Sequence, residues 1–380
     1  MVEKIFTSIC ACLFFCIFAN AQSEKMTRDE AEVIRNEIID EWRQEQGAKL
    51  KTNMDSMRIA LDSLVMKYEI QIFGEEPVDG RSLWISMHGG GNAPKELNDS
   101  QWLNQLFLYQ PEEGIYLCPR APWDDWDMWF KAPIDGMFEE LIRTMMAQHN
   151  VNPDKVYILG YSAGGDGIWR LAPRLADHWA AASMMAGHPG DVRLENVRNL
   201  PFSIWVGGED AAYNRNTEVA KRGTELDSLQ SLDKEGYIHE THVVEGKPHW
   251  MDRVDTLAVS WMAQFKRNPY PSRIVWRQEE VLRNAFYWIG APEDEIERGK
   301  TVIIEAKDNK IDIQRCDYSH LIIYLNDRIV DLDKKVTIVF EGKKIFMGMV
   351  DRDEEALTYS LNKRQDPSYC FPAIMDMKLR

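Results

Sequence analysis

Cysteine is scarce in this sequence and poorly placed for cross-linking. Of six cysteines, Cys10, Cys12 and Cys16 crowd into the first apolar stretch, leaving Cys118, Cys316 and Cys370. Three cannot build a disulfide framework. A single Cys316–Cys370 bridge stays open, since sequence does not fix its geometry. Cys118 sits in an apolar run and reads as a small buried hydrophobe. Positive charge is also short: 45 Lys and Arg face 61 Asp and Glu, a formal net charge of -16. Phosphate backbones are bound by clustered cations, so nucleic acid is excluded as a partner. Attraction to an anionic membrane surface is disfavoured on the same ground. Beyond Phe18 no stretch of about 20 apolar residues occurs, so no integral membrane segment is expected in the mature chain. Metal-ligand spacings are missing too. His239-Glu240-Thr241-His242 lacks the HExxH interval, and Asp124, Asp125 and Asp127 do not follow an EF-hand pattern. Neither a metal nor another cofactor is expected, and no repeats or low-complexity tracts occur.

What the chain does have begins with an export signal. Lys4 precedes an apolar run from Ile5 to Phe18, and Ala19-Asn20-Ala21 supplies small residues at a signal-peptidase spacing. Residues 1–21 are read as a cleaved leader, with cleavage after Ala21 and a secreted or periplasmic product. Residues 22–67 are read as a helical extension. Thr27 and Glu30 form a capping box, Ala31, Ile34, Ile38 and Trp42 follow at helical spacing, and Gly47 ends the run. Met54, Met57, Leu61 and Leu64 predict a second short helix.

From residue 68 strands and helices alternate. Tyr68–Phe73, Leu83–Met87, Ile115–Cys118, Val156–Leu159, Ala180–Met185, Phe202–Val206 and Thr241–Val244 are the strand candidates. Such alternation predicts an α/β fold, a mostly parallel sheet with helices on both faces, over 68–267. Asn268-Pro269-Tyr270-Pro271 reads as a linker. Residues 272–380 are rich in strand signals and predict a small C-terminal β-rich domain, with a hairpin turn at Glu341-Gly342-Lys343.

Gly160-Tyr161-Ser162-Ala163-Gly164 fits the G-x-S-x-G nucleophile elbow and lies between an apolar strand and a helical segment, as that motif requires. His88-Gly89-Gly90-Gly91 follows the strand Leu83–Met87, where glycines without side chains let Gly90 or Gly91 N–H approach a carbonyl oxygen. The Ala163 N–H is the expected second donor. Asp210 follows one strand through Gly207-Gly208-Glu209, and His249 follows another through Glu245-Gly246-Lys247-Pro248. A neutral imidazole takes the serine proton, and a carboxylate behind it fixes the tautomer. His188, on Gly187-His188-Pro189-Gly190, competes with His249 as base. Glu209 and Asp191 compete with Asp210 as acid. Trp126 and Trp129, in the aromatic loop from Arg120 to Phe130, are candidates for a substrate wall, as is His188; plain packing explains that loop equally well.

With HGGG at 88–91, GYSAGG at 160–165, GGED at 207–210 and KPHW at 247–250, the segment from about 68 to 266 resembles the α/β-hydrolase superfamily. It is most similar to phospholipase/carboxylesterase and polyhydroxybutyrate-depolymerase-like esterases of secreted bacterial type. The resemblance implies a triad on Ser162, Asp210 and His249, and Lys247-Pro248 departs from it where many relatives have glycine. The expected function is secreted serine hydrolysis of carboxylic esters, small or polymeric. A peptidase or amidase of the same fold, or a binding protein with a relict fold, would fit the same elements.

Overall fold

The structure, a computed structural model, describes residues 25–380. The expected leader at 1–21 lies outside the described residues, with Cys10, Cys12 and Cys16. Helix α1 (Arg28–Lys49) starts at Thr27, whose side chain and that of Glu30 satisfy each other's backbone N–H groups. It runs through Gly47 to Lys49. Helix α2 (Lys51–Ser56) is short and stops at Met57, which is left-handed with φ 52°.

The chain then departs from the helix expected at 54–64. Strands β1 (Arg58–Leu61) and β2 (Leu64–Phe73) pair antiparallel with Leu61 opposite Leu64. Asp62-Ser63 is therefore a two-residue hairpin loop, with Asp62 at φ 53°. A Leu-x-x-Leu interval suits both a helix face and a tight hairpin, and the alternating burial of Ile59 and Met66 belongs to the second. The sheet thus begins at Arg58, inside the stretch expected to be helical.

Next come β3 (Arg81–Met87), α3 (Lys95–Gln105), β4 (Gly114–Arg120), α4 (Pro133–His149), β5 (Val151–Tyr161) and α5 (Ala163–Arg174). They are followed by β6 (Ala181–Met185), β7 (Phe202–Gly207), α6 (Arg215–Leu232), β8 (His239–Val244) and α7 (Leu257–Met262). The eight strands form one sheet in the order β1-β2-β4-β3-β5-β6-β7-β8. β1, β2 and β4 pair antiparallel, and every pairing from β4 onward across the sheet is parallel. Alternate residues serve opposite faces. Leu83, Ile85 and Met87 join the apolar layer of α4 and α5. Trp84, Tyr157 and Trp205 join the layer of α7, with Trp102 of α3 against it.

Beyond Arg267 the chain adds β9 (Arg273–Arg277), β10 (Ala285–Phe286), β11 (Ile289–Gly290), β12 (Thr301–Lys307), β13 (Lys310–Cys316), β14 (His320–Leu325), β15 (Val336–Phe340) and β16 (Lys343–Gly348). Helix α8 (Glu354–Arg364) and β17 (Ala373–Lys378) complete it. The strands make a five-stranded sheet, β16-β15-β13-β12-β9, and a four-stranded one, β10-β11-β14-β17. Their apolar side chains, Trp276 and Phe286 among them, belong to the same continuous cluster as those of α4 and α5. On the outside, Ile39 and Trp42 of α1 pack on Leu357 and Leu361 of α8. Cys118, Cys316 and Cys370 are buried free thiols, so the Cys316–Cys370 bridge is not formed.

Candidate active site

At the end of β5 the backbone turns into α5 within one residue. Ser162 takes φ 58° and ψ -118°, a strained conformation for a residue with a Cβ. Its N–H donates to the Met185 carbonyl at 2.9 Å, fixing the turn to β6. The glycines are explained by distance. A Cβ on Gly160 would lie 2.4 Å from the Gly164 oxygen, and one on Gly164 would lie 2.2 Å from the Met87 oxygen.

Two loops from the parallel edge meet Ser162. A Cβ on Gly207 would lie 2.1 Å from the Pro248 oxygen, so only glycine lets the loop after β7 cross under the loop after β8. That crossing brings Asp210 and His249 together. His249 Nε2 lies 2.9 Å from Ser162 Oγ, and His249 Nδ1 lies 2.7 Å from Asp210 Oδ2. Asp210 is buried, whereas Glu209 is exposed and Asp191 pairs with Arg170 at 2.8 Å. Burial works to raise the Asp210 carboxyl, and hydrogen bonds from His249 and Arg215 outweigh it, holding it below the usual carboxylate range.

The glycine turn lies on the other side of Ser162. A Cβ on Gly89 would come 3.2 Å from Ser162 Cβ, and Gly90 and Gly91 adopt φ 99° and 78°. His88 is fully buried. Burial pushes its imidazole down to about 3, so it is neutral at physiological pH. Its Nδ1–H donates to the Gly89 carbonyl at 2.6 Å, and its Nε2 accepts the Ala121 N–H at 3.2 Å. Ala163 opens α5, where N–H groups have no partner within the helix.

Three residues expected from the sequence to line the site sit differently in the fold. The Gly91 N–H donates to Asn98 Oδ1 at 2.8 Å, so this donor is committed inside the protein, which leaves the Gly90 N–H as the candidate donor of the glycine turn. Trp129 is fully buried and walls no pocket; its indole N–H needs a partner in the core and finds the His88 carbonyl at 2.9 Å. His188 does not reach the Ser162 hydroxyl as a partner. Its N–H donates to Asp166 Oδ1 at 2.6 Å and its Nδ1 accepts the Gly190 N–H at 3.0 Å, which makes it part of the loop after β6. Trp126, by contrast, is 63% exposed and lies beside the glycine turn, its Cα 3.2 Å from where a Gly91 Cβ would be.

Two further residues of the site do not stand out in the sequence, Arg215 and Asn98. Arg215, the first residue of α6, places Nη1 2.6 Å from Asp210 Oδ1 and 3.0 Å from His249 Nδ1. Asn98 is fully buried on α3 behind the glycine turn. A basic residue shortly after the acid, and an amide in the helix after the glycines, are the only sequence signals for them. Away from this site, Asp327, Asp331 and Asp333 form the one carboxylate group spaced for a cation among the described residues. Arg352 meets Asp327 at 2.7 Å and Asp333 at 2.8 Å, and Lys334 meets Asp331 at 2.8 Å, so each of the three carboxylates has a cation partner within the protein.

No protein-family model and no curated protein matches the sequence. Solved structures do. A thermostable esterase is 16% identical over 55% of this chain and 62% of its own, with a TM-score of 0.43. A feruloyl esterase module from Clostridium thermocellum is 14% identical over 55% of this chain and 86% of its own, with a TM-score of 0.41. An acetyl xylan esterase from Aspergillus awamori is 11% identical over 52% of this chain and 93% of its own, with a TM-score of 0.37. β5, the Ser162 elbow and α5 stand at the centre of a mostly parallel sheet, a strand–turn–helix arrangement within an α/β fold, and these three similar structures are esterases by name.

Proposed function

We propose that the protein is an exported serine hydrolase that cleaves carboxylic esters through an acyl-enzyme on Ser162. The observation that carries this reading is the unbroken chain from Ser162 Oγ through His249 to Asp210, at 2.9 and 2.7 Å. Asp210 holds the proton on Nδ1, so Nε2 is free to accept from the hydroxyl. As Ser162 Oγ attacks the ester carbonyl, its proton passes to His249 Nε2. The Gly90 and Ala163 N–H groups receive the oxyanion. Collapse expels the alcohol, which takes the proton from His249. Water then attacks the acyl-enzyme by the same route and releases the acid. None of these groups comes from residues 272–380, so we assign that region a supporting role.

The test is labelling of the purified protein by a fluorophosphonate, with the adduct located by mass spectrometry. Label on Ser162, lost in Ser162→Ala together with turnover of a p-nitrophenyl ester, is the expected result. A panel of ester, thioester and amide substrates is expected to rank esters first. Label elsewhere, or esterase activity that survives Ser162→Ala, would overturn the assignment.

A further inference from the structure

We propose that Arg215 is a positioning residue for the reaction, holding the second oxygen of Asp210 so that the first keeps His249 in its working tautomer; this rests on the triad reading above. The Asp210 carboxylate is shared between two donors. Oδ1 takes Arg215 Nη1 at 2.6 Å, and Oδ2 faces His249 Nδ1 at 2.7 Å. Nη1 is also only 3.0 Å from Nδ1. Arginine has no acceptor, so Nη1 and a protonated Nδ1 cannot bond to each other; the carboxylate between them satisfies both.

That triangle has two possible proton arrangements. In one, Nδ1–H donates to Oδ2 and Nε2 accepts from Ser162. In the other, Arg215 donates to a bare Nδ1, the imidazole proton sits on Nε2 and points at Ser162 Oγ, and no base is available. The first is favoured only while the carboxylate stays in place, because the second would set a carboxylate oxygen against a nitrogen lone pair. A carboxylate held on one oxygen alone can rotate about its Cβ–Cγ bond. Arg215 removes that freedom.

The loop is shaped to deliver this contact. Tyr213 and Asn214 both take left-handed backbone conformations, at φ 57° each, which costs free energy for residues with a Cβ. Asn216 then ties the turn back: its N–H donates to the Asp210 carbonyl at 3.0 Å, and its side chain donates to the Gly208 carbonyl at 2.7 Å. The Arg215 side chain is 11% exposed, with the exposed Tyr213 ring 5.9 Å from its Cζ. The other polar groups around His249 do not substitute for it. Tyr161 of β5 donates to the His249 carbonyl, and Asp166 of α5 holds His188.

Kinetics and proton NMR of Arg215→Met and Arg215→Lys test the proposal. Arg215→Met is expected to lower kcat about tenfold or more with KM little changed, less than the roughly 10⁴-fold lost when such a carboxylate is neutralised. The downfield proton signal of the Nδ1–H···Oδ2 hydrogen bond should weaken or vanish in the same variant. Arg215→Lys, which can still donate to Oδ1, should recover most of both. If Arg215→Met does not fold, Arg215→Leu, which likewise has no donor, replaces it, with the same direction expected. A folded Met or Leu variant with wild-type kcat and an unchanged downfield signal would overturn the proposal. Failure of the triad reading looks different: the wild-type protein itself would not be labelled at Ser162.

Discussion

Asn98 Oδ1 accepts the Gly91 N–H at 2.8 Å, and the same oxygen lies 2.2 Å from where a Cβ on Gly90 would sit. One buried amide therefore fastens the turn at Gly91 by a hydrogen bond and excludes a side chain at Gly90. Its Nδ2 donates to the Ala93 carbonyl at 3.0 Å and to Asp124 at 2.9 Å, and Arg120 in turn binds both Asp124 and Asp99. The turn that aims the Gly90 N–H is fastened from behind by this network.

Asn98→Leu keeps the number and branching of side-chain heavy atoms and removes every bond. Loss of one oxyanion donor typically costs about 10²–10³-fold in kcat. Asn98 acts on that donor at one remove, so a smaller fall of about tenfold is expected. Stranding the Gly91 N–H and the Ala93 carbonyl should also cost about 1–3 kcal/mol of stability. Thermal melts and ester kinetics on the same preparation check both. A lowered Tm with wild-type kcat would reduce Asn98 to a packing role.

Asp210→Asn and Glu209→Gln separate two neighbouring carboxylates. Asp210 faces His249, while Glu209 is exposed and uses its backbone N–H on the Lys247 carbonyl at 2.9 Å. An amide at 210 can present its N–H to Nδ1 and hold the wrong tautomer, which costs about 10⁴-fold in kcat. Glu209→Gln should leave kcat within about twofold, as surface changes usually do. The reverse ranking in ester kinetics would move the acid to 209.

How much of this is readable in the sequence follows from how local each feature is. The Ser162 elbow is set within five residues by steric limits that only glycine meets, so its sequence is its structure. The order of Asp210 and His249 is readable because each follows a strand end. Arg215 and Asn98 are not, although each lies close in sequence to its partner, Asp210 and Gly91, because the turn geometry that aims their side chains leaves no residue pattern of its own. Trp129 misleads for a related reason: an aromatic in an active-site loop can face either way, and its indole N–H finds the His88 carbonyl inside. Helix α6 buries only Val219, Gly223 and Leu226, a stripe too thin to stand out. Helix α8 hides in the β-rich tail because its buried face is Ala356, Leu357, Ser360 and Leu361, half of it small residues.

Stability should fall as pH rises through neutrality because of Glu279. Burial beside β9 pushes its carboxyl up to about 7, and Glu280 next to it adds to the effect. Its Oε1 has no hydrogen-bond partner among the described residues, with Arg277 Nε 3.6 Å away. A carboxyl raised in the folded state contributes its stability below the unfolded value, about 4.5, and loses it as pH rises through about 7. Glu279→Gln should therefore raise Tm at about pH 8 and leave it nearly unchanged at about pH 4. Equal Tm changes at both pH values would show that the titration of Glu279 is not felt.

The seam between the eight-stranded sheet and the C-terminal strands is held by charge as well as by apolar contact, and Asp177 is a buried charge within it. This side chain is fully buried. Its Oδ2 accepts from Arg364 Nη2 at 2.7 Å and from the Tyr287 N–H at 3.2 Å, while Oδ1 lies 3.0 Å from His178 Nδ1. Burial works to raise the carboxyl, but His178 and Arg364 outweigh it and hold it well below the usual range. The stability this pairing contributes is therefore present above the ordinary carboxylate range and lost as pH falls through the lowered value. Arg364→Met would remove one of the two cations that compensate the buried Asp177 charge, leaving His178, and part of the roughly 3–5 kcal/mol penalty of a fully unpaired buried charge is expected. The expected result is a fall in Tm of more than about 5 °C, given the usual scaling of Tm with stability in large domains. Arg364 takes no part in the proposed chemistry at Ser162, so phosphonate labelling per folded molecule should not change. Adding Asp177→Asn to Arg364→Met removes the stranded charge, and the double variant should be more stable than Arg364→Met alone. If the double variant melts below the wild type by the sum of the two single losses, the two side chains are not coupled and the paired charge is not what holds the seam.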